Sequence, residues 1–556
     1  MSAASIAISP SSPAASSPAK ASPFPVDLSH SPLLGILGVL LGASIVTLTG
    51  RLLSLGLTDL KGSLGISYDE GTWIASAFNV AIMFIGPFSV YLGGLLGTRK
   101  LLLACAPVFT LACIFLPLVH SYSLLIFLLV VAGLTSGPFY PLTLAFALRN
   151  IPLRYLALVL ALYAFFIEGA VNFAPSIYGF FRNHVSFEWM FWLPAIATPV
   201  MIACIYFGIP KTPRSQSKKE PPSFAGFLYL SAGCALLYGA LDQGQRLDWW
   251  RSGLFDAMFA GAALFLMGSL VERLRRPNFL VDLPYLRNWN TILLGVALFS
   301  FRFVLLATVV IIPMSLSVRG LDAEQYGPAV LWTAIFEFSL AFVGVLLLYK
   351  GIDSRLLMAI GFAAIAVACL INSDFTSAWA PQNYFRTELL MGLGQSLALL
   401  GLVSSIILHV AFSGGLEAPQ RALTISAFFH TVRLLGGQVG AIAMGHFIAV
   451  REELHSNLIG LHVQSGNWLT AGSVNSLAAG LAGRSNGVAG ATGRAVDIIG
   501  SRIRLQAYSL TFVDGFHLLA WACVAMLLLT ALMRRPPMNF RQLPALQKGS
   551  PMEDRP

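Results

Sequence analysis

The feature that most constrains this chain is a series of about fourteen apolar stretches, each near the twenty or so residues that a helix needs to cross a bilayer. Hydrophobic residues make up 56% of the 556 residues, charged residues only 11%, and the mean hydropathy is +0.75. The core of a water-soluble protein cannot bury that much apolar surface. Because backbone amides in hydrocarbon must be satisfied within each segment, runs this long exclude a β-barrel. The sequence therefore predicts an all-α polytopic membrane protein.

The predicted spans follow the apolar runs. They lie at about 33–54, 72–95, 100–118, 122–147, 155–180, 189–209, 225–243, 253–271, 290–313, 326–349, 354–371, 385–412, 423–447 and 512–533. The fourth span is the least regular, because it carries Gly137 and Pro138. Residues 450–511 are too polar to span, and we expect either a flexible loop or, over 495–508, a short amphipathic helix on the outer surface.

The distribution of Lys and Arg predicts the orientation. Most of those in the predicted loops fall on one side, which the positive-inside rule makes cytoplasmic, so both termini are expected inside. These topogenic residues and the basic tail explain the net charge of +10, which therefore does not indicate nucleic-acid binding. Residues 1–31, rich in Ser, Ala and Pro, are predicted to be a disordered cytoplasmic tail and not a signal peptide.

Polar side chains inside the spans are the candidates for function. A charge at the bilayer centre costs about 3 kcal/mol on insertion scales, so such residues are functional candidates by default. The charged candidates are Glu168, Arg302, Glu337 and Arg433, and the uncharged ones are Asn172, Gln395 and His430. 

Two interpretations of the carboxylates stay open at this point. In the first, Glu168 or Glu337 loads and releases a proton as its surroundings change. In the second, a static ion pair such as Arg302 with Glu337 only holds helices together. Glu168 has no basic residue in its own span, which favours a functional role. His430 is interpreted more simply as a packing residue.

The fifth span carries a stripe of spaced residues. Glu168, Asn172, Pro175 and Gly179 follow one another at separations of four, three and four, so they lie on one face of a helix that is expected to contact protein. Pro175 permits a kink and the small residues permit close approach of another helix. The alternative is a structural kink without meaning for transport.

No enzymatic signature accompanies these features. The chain contains no Walker A sequence, no HExxH and no GxSxG, and its six cysteines, all within apolar spans, lack metal-ligand spacing. We expect no enzyme, no cofactor and no metal site.

Several short motifs follow one another along the chain. They are Gly71-Thr72-Trp73, Gly97-Thr98-Arg99-Lys100, Ser136 to Pro141, Ala174-Pro175 with Gly179, Trp189 to Pro194, Asp242-Gln243-Gly244, Leu247-Asp248-Trp249, and Arg433 to Gly440 with Gly436 and Gly437. By their order and spacing, the chain resembles the fourteen-helix drug:proton antiporter branch of the major facilitator superfamily, the EmrB/QacA-like transporters. The resemblance covers about residues 33 to 535.

The resemblance implies a major facilitator fold. It implies two six-helix bundles at 32–210 and 289–535, an inserted helix pair at 211–288, a cytoplasmic tail at 536–556 and a substrate site near the midplane between the bundles. It also implies that the hairpin from Gly97 to Lys100 is a latch whose Arg99 and Lys100 dock on neighbouring helix ends. The alternative is that these two residues only set the topology.

The sequence departs from the family pattern at three places, so the roles of the family's residues at these places cannot be assigned to this chain. The first span has Leu48-Thr49 where the family has a Leu-Asp pair, the latch has Gly94 in place of an acidic residue, and the Arg and Gln expected before Gly133 are replaced by Leu128, Leu129 and Ala132. If the chain is proton-driven, its coupling carboxylate must lie elsewhere, at Glu168 or Glu337.

The leading hypothesis is a secondary active transporter of the cytoplasmic membrane that exports amphipathic small molecules in exchange for protons. The first alternative is a transporter of a metabolite, siderophore or lipid with different or no proton coupling. The second, from another class, is a polytopic receptor or scaffold without transport. Related exporters of double-membraned bacteria can work with a periplasmic adaptor and an outer-membrane channel, and nothing in this sequence shows such a partner.

Overall fold

Fourteen helices of the described chain are long and apolar enough to cross a membrane. The computed structural model describes residues 32–151, 153–209, 223–275, 288–412, 419–464, 466–484 and 487–535, and these ranges contain no β-strand. The all-α polytopic prediction is confirmed. Both predicted tails and the ends of the inserted segment lie outside the described residues.

The first seven helices follow the first six predicted spans. They are α1 (Pro32–Leu64), α2 (Tyr68–Leu96), α3 (Thr98–Phe115), α4 (Tyr122–Ser136), α5 (Phe139–Asn150), α6 (Leu153–His184) and α7 (Trp189–Gly208). α4 and α5 share one span that is interrupted at Gly137 and Pro138, as its irregular sequence predicts. The interruption has a physical cause, since proline lacks the N–H that a continuous helix would bond.

The remaining helices begin with the inserted pair. α8 (Phe224–Gly244) and α9 (Gly253–Arg275) pack on each other. They are followed by α10 (Trp289–Val304), a π-helical turn at Ala307–Ile311, α11 (Ile312–Ser317), α12 (Ala323–Tyr326), α13 (Pro328–Tyr349), α14 (Ser354–Asn372), α15 (Phe385–Phe412), α16 (Pro419–Gly460), α17 (Trp468–Leu481) and α18 (Gly487–Leu532).

The outer segment 450–511 is helical over most of its length, so the prediction of a flexible loop is wrong. α16 and α18 continue past their predicted spans, and 495–508 belongs to α18 instead of forming a separate surface helix. Side-chain contacts stabilise this extension: Ala478 of α17 is buried with Ala491 and Ala495 of α18. His455 of α16 also contacts Asp514 of α18 at 2.7 Å. Such contacts are invisible to hydropathy.

The helices pack in two groups. α1 packs on α6 and α7, and α2 on α4; α14 packs on α15 and α18, and α10 on α16. We call α1 to α7 the first bundle and α10 to α18 the second bundle; the boundaries at 210 and 289 stay a prediction. The bundles meet where α6 contacts α13 and where α2 and α5 contact α16. Following the predicted orientation, we call the end near Arg99 the inner end and the end near Arg182 the outer end.

Candidate functional site

A buried ion pair joins the two bundles. Nη1 of Arg302, on α10, donates to both carboxylate oxygens of Glu168, on α6, at 2.9 and 3.0 Å. The side chains are only 18% and 5% exposed. The interpretation of a static pair between Arg302 and Glu337 is therefore wrong, because the carboxylate that Arg302 contacts comes from α6. Glu168 has a basic partner, which is supplied by another span.

A chain of neutral polar groups continues from this pair. Nδ2 of Asn172, one turn after Glu168, donates to Oε1 of Gln395 at 3.2 Å, and Nε2 of Gln395 donates to Oγ1 of Thr308 at 3.0 Å. Asn172 also interacts with Glu337 on α13, whose Oε2 is buried without a hydrogen-bond partner among the described residues. The structure thus brings five of the predicted polar residues together at the bundle interface.

Arg433, on α16, is the second arginine of the site. Its guanidinium is 4.7 Å from the ring centre of Tyr140, and it donates to Oγ1 of Thr47 at 3.4 Å. Among the described residues no carboxylate forms an ion pair with Arg433, and its Nε is buried without a partner. His430, one turn earlier, is 1% exposed and packs 5.1 Å from Tyr140.

A cavity lies between the two bundles at this site. It is lined by Glu168, Arg302 and Arg433, by the rings of Tyr140 and Tyr163, and otherwise by apolar side chains of both bundles. Its volume is about 30 Å³, whereas sites for drug-sized ligands enclose roughly 300–1,000 Å³. This conformation holds water at most, so a substrate would require the bundles to separate.

The predicted stripe on α6 faces protein along its whole length. Glu168, Asn172, Pro175 and Gly179 are all buried, and α6 continues through Pro175. At the outer end, a Cβ atom on Gly179 would overlap the backbone of Glu324 on α12, so only glycine permits this approach. The stripe therefore runs from the ion pair to the outer closure between the bundles.

The motif residues outside the cavity have structural contacts. Nη2 of Arg99 donates to the backbone oxygen of Tyr206 at 2.7 Å, near the end of α7, as the latch interpretation expects, whereas Lys100 is exposed. Gly97 separates α2 from α3 with a φ of 90°, a conformation that favours glycine. Three glycines let α16 approach α10, where they face Phe299, Arg302 and Phe303: Gly436, Gly437 and Gly440.

Two charged residues were not among the predicted candidates inside the spans: Arg51, and Asp242, which the sequence offered only as part of a motif. Arg51 lies inside the first predicted span, and its Nη2 donates to the backbone oxygen of Val309 in the second bundle at 2.7 Å. Asp242 lies in the last turn of α8 and accepts a hydrogen bond from Gln438 of α16 at 2.6 Å. Arg51 was detectable as a charge within a span, whereas Asp242 lies in the last turn of its span and resembles a loop residue.

Comparison with known proteins agrees with the fold. In solved structures, the chain is similar to the proton:xylose symporter XylE, with a TM-score of 0.52 at 12% identity over 93% of this chain and 98% of that one. It is also similar to the human organic anion transporter MFSD10, with a TM-score of 0.50 at 13% identity over 88% and 98% of the two chains. At these identities the likeness concerns the fold alone.

Sequence relatives cover most of the chain. It is 25% identical to the multidrug export protein EmrB of Haemophilus influenzae over 80% of this chain and 86% of the relative. It is 24% identical to the fatty acid resistance protein FarB of Neisseria gonorrhoeae over 73% and 78%. The sequence profile of the Major Facilitator Superfamily matches residues 39–441. Because this match spans well over half of the sequence, the chain belongs to the Major Facilitator Superfamily.

Proposed function

We propose that the protein is a secondary active transporter that exports amphipathic small molecules in exchange for protons. The observation that carries this proposal is the apolar cavity between the two bundles, with the ion pair of Glu168 and Arg302 in its wall. A site of this kind can open to either side when the bundles rock. The relatives named as multidrug export proteins support export as the direction.

Proton coupling is assigned to Glu168. This carboxylate lines the cavity, whereas Glu337 does not. A proton that arrives from outside would neutralise Glu168 and break its ion pair with Arg302, so the protonated and ionised forms favour different arrangements of α6 and α10. Release of that proton inside would restore the ion pair. Glu337 remains a second candidate, because it shares Asn172 with the same polar chain.

The charges of the cavity favour an anionic substrate group. Two guanidiniums and one carboxylate line it, so the surplus is one positive charge at Arg433. A guanidinium with free donors in apolar surroundings binds a carboxylate or another flat anion more strongly than in water. We therefore propose that the preferred substrates combine an apolar body with an anionic group. The relative named for fatty acid resistance is compatible with such a preference.

One specific observation supports the alternative, which is a transporter of a metabolite, siderophore or lipid with different or no proton coupling. Thr49 occupies the place of the first-span carboxylate, and its hydroxyl donates to the Ile45 backbone oxygen of its own helix at 2.6 Å. No acidic group replaces the missing one at this position of α1. A receptor or scaffold without transport has no comparable support.

Localisation and partners belong to the same proposal. The Lys and Arg distribution supports an inner-membrane protein with both termini inside. A periplasmic adaptor and an outer-membrane channel, as some related exporters use, would meet the chain at its outer extension. Affinity purification from cross-linked cells would test them, and recovery of the chain without either protein would remove them from the proposal.

Transport by purified protein in liposomes tests the function. We would compare a fluorescent lipophilic carboxylate with a lipophilic ammonium compound on the same carbon skeleton, under an imposed pH gradient that a protonophore can collapse. We expect gradient-dependent accumulation, with the carboxylate preferred. Accumulation that persists after collapse would contradict proton coupling, and a preference for the ammonium compound would contradict the charge assignment.

A further inference from the structure

A polar cluster that the proposed mechanism does not use lies near the outer ends of α2 and α8 and beside the middle of α16. Oδ1 of Asp242, on α8, accepts a hydrogen bond from Nε2 of Gln438, on α16, at 2.6 Å. Oδ2 accepts a short hydrogen bond from the hydroxyl of Ser76, on α2. Gln243 also donates to Ser76. One carboxylate on the inserted pair therefore bonds to both bundles.

Within the described chain this carboxylate has no cation as a partner. The neighbouring Arg246 is bonded to Gln243 at 2.7 Å and paired with Asp69 at 3.4 Å. The polar groups that bind Asp242 are neutral and come from different bundles. Each of these hydrogen bonds stabilises the arrangement only while its partner stays within reach, so the cluster favours close approach of α2, α8 and α16.

Apolar contacts support the same geometry below the cluster. Met83 of α2 is buried together with Cys234 and Tyr238 of α8, and Leu434 and Leu435 of α16 pack against them. α8 therefore contacts both bundles here, and it does so again nearer its inner end, where Phe227 is buried with Tyr91 of α2 and Ala427 of α16. α8 thus packs on both bundles and not on the lipid-facing surface of one bundle alone.

We propose that the inserted helix pair is a clamp that holds the outer halves of the two bundles together, with Asp242 as its positioning residue. The inference rests on the proposed alternating access, because a clamp matters only if the outer halves separate. When they do, α2 and α16 must move apart, and Asp242 must lose either Ser76 or Gln438. The clamp therefore favours the conformation with its outer side closed.

The position of the clamp completes the outer closure. On the other flank, α6 contacts α12 directly: Gly179 packs on the backbone of Glu324, and Asn183 donates to Asp322 at 2.8 Å. On the α8 flank, α2 and α16 contact each other, and α8 packs on both of them. Opening of the outer side requires both flanks to separate.

Distances between spin labels test the clamp directly. Labels would be placed on cysteines introduced by Val185→Cys and Gln382→Cys, which are exposed at the outer ends of the first and second bundle. The six native cysteines are free, and five of them are buried; only Cys105 would be replaced. The measurement is made on full-length protein in nanodiscs, and it reports the fraction of molecules with a long outer distance.

Two single substitutions detach the carboxylate from one bundle each. Ser76→Ala removes the bond to the first bundle and Gln438→Leu the bond to the second, while Asp242 itself is retained. Because one hydrogen bond contributes on the order of 1 kcal/mol, we expect each to raise the ratio of open to closed molecules about fivefold. Asp242→Asn should act in the same direction. The control is Asp248→Asn, which removes an exposed pair with Arg251 in the adjoining loop.

The outcomes separate this inference from the proposed function. An unchanged distance distribution in Ser76→Ala and Gln438→Leu overturns the clamp even if transport is observed, and so does an equal shift in the Asp248→Asn control. A merely structural role predicts lower thermal stability without a change of distance. Absence of transport by the unsubstituted protein, with the distance shifts present, would contradict the proposed function and leave the clamp standing.

Discussion

Replacement of Glu168 by glutamine gives the sharpest test of the coupling assignment. The glutamine keeps the shape of the side chain and leaves Arg302 with a neutral acceptor in a site where both side chains are buried. At 2.9 Å and an effective dielectric constant near 20, two unit charges attract by about 6 kcal/mol. Much of this is offset by desolvation, so breaking such a pair typically costs about 3–5 kcal/mol.

Two measurements follow from this energy. We expect Glu168→Gln to lower the free energy of unfolding by about 3 kcal/mol or more, and Glu168→Gln combined with Arg302→Gln to cost clearly less than the sum of the single changes. In liposomes, Glu168→Gln should lose accumulation driven by the pH gradient but retain exchange of labelled for unlabelled substrate. Exchange shows that the variant is folded and still alternates.

The reasoning would be refuted by a Glu168→Gln protein that still accumulates substrate uphill. Strict additivity of the two stability changes would refute the energetic coupling of the pair. Glu337→Gln is the matched comparison, because it removes a buried carboxylate of the same polar region that does not line the cavity. Loss of coupling in Glu337→Gln alone would move the proton site to α13.

Three further predictions concern the closure and the polar chain. Gly179→Leu should hold the outer side open, because its side chain would overlap the backbone of Glu324, and the spin-label distances across the outer ends would increase; unchanged distances would contradict this. The hydrogen bond from Asn183 holds the pKa of Asp322 below its ordinary value of 3.8. The ionised Asp322 therefore stabilises the outer contact above pH 3.8, and this stabilisation is lost only as the pH falls through the lowered pKa. We expect no change of the outer spin-label distances through Asp322 between about pH 5 and pH 8. A response that Asp322→Asn abolishes would show otherwise. Gln395→Leu should lower the free energy of unfolding by about 1–3 kcal/mol, because Asn172 and Thr308 lose their hydrogen-bond partner. Gln395→Glu tests whether an added charge is tolerated there. Equal thermal stability of Gln395→Leu and the unsubstituted protein would exclude the chain of hydrogen bonds.

The bilayer explains why so much of the fold was predictable. It fixes the minimum length and the polarity of a span, so hydropathy alone predicted the fourteen spans, including the irregular one around Gly137. The stripe on α6 was predictable for the same kind of reason, because helical periodicity places Glu168 and Gly179 on one face.

Contacts between spans were not predictable from one sequence. Arg302 pairs with Glu168 and not with Glu337, which depends on how the bundles meet and not on spacing along the chain. The helical extension over 450–511 was missed because packing of Ala478 and its neighbours, not hydropathy, stabilises it. Asp242 was recognised only as part of a motif, because a charge in the last turn of a span resembles a loop residue until its partners on two other helices are known.

The unbroken course of α16 through the membrane has a mechanical consequence. Its 42 residues extend for about 63 Å, roughly twice the hydrocarbon thickness, so the helix that carries Arg433 at the cavity continues well past its predicted span. A rocking of the second bundle by about 10° would swing a point about 40 Å from the pivot through about 7 Å. If the bundles rock as proposed, α16 would act as a lever arm that converts a small rotation at the cavity into a large displacement of its outer tip.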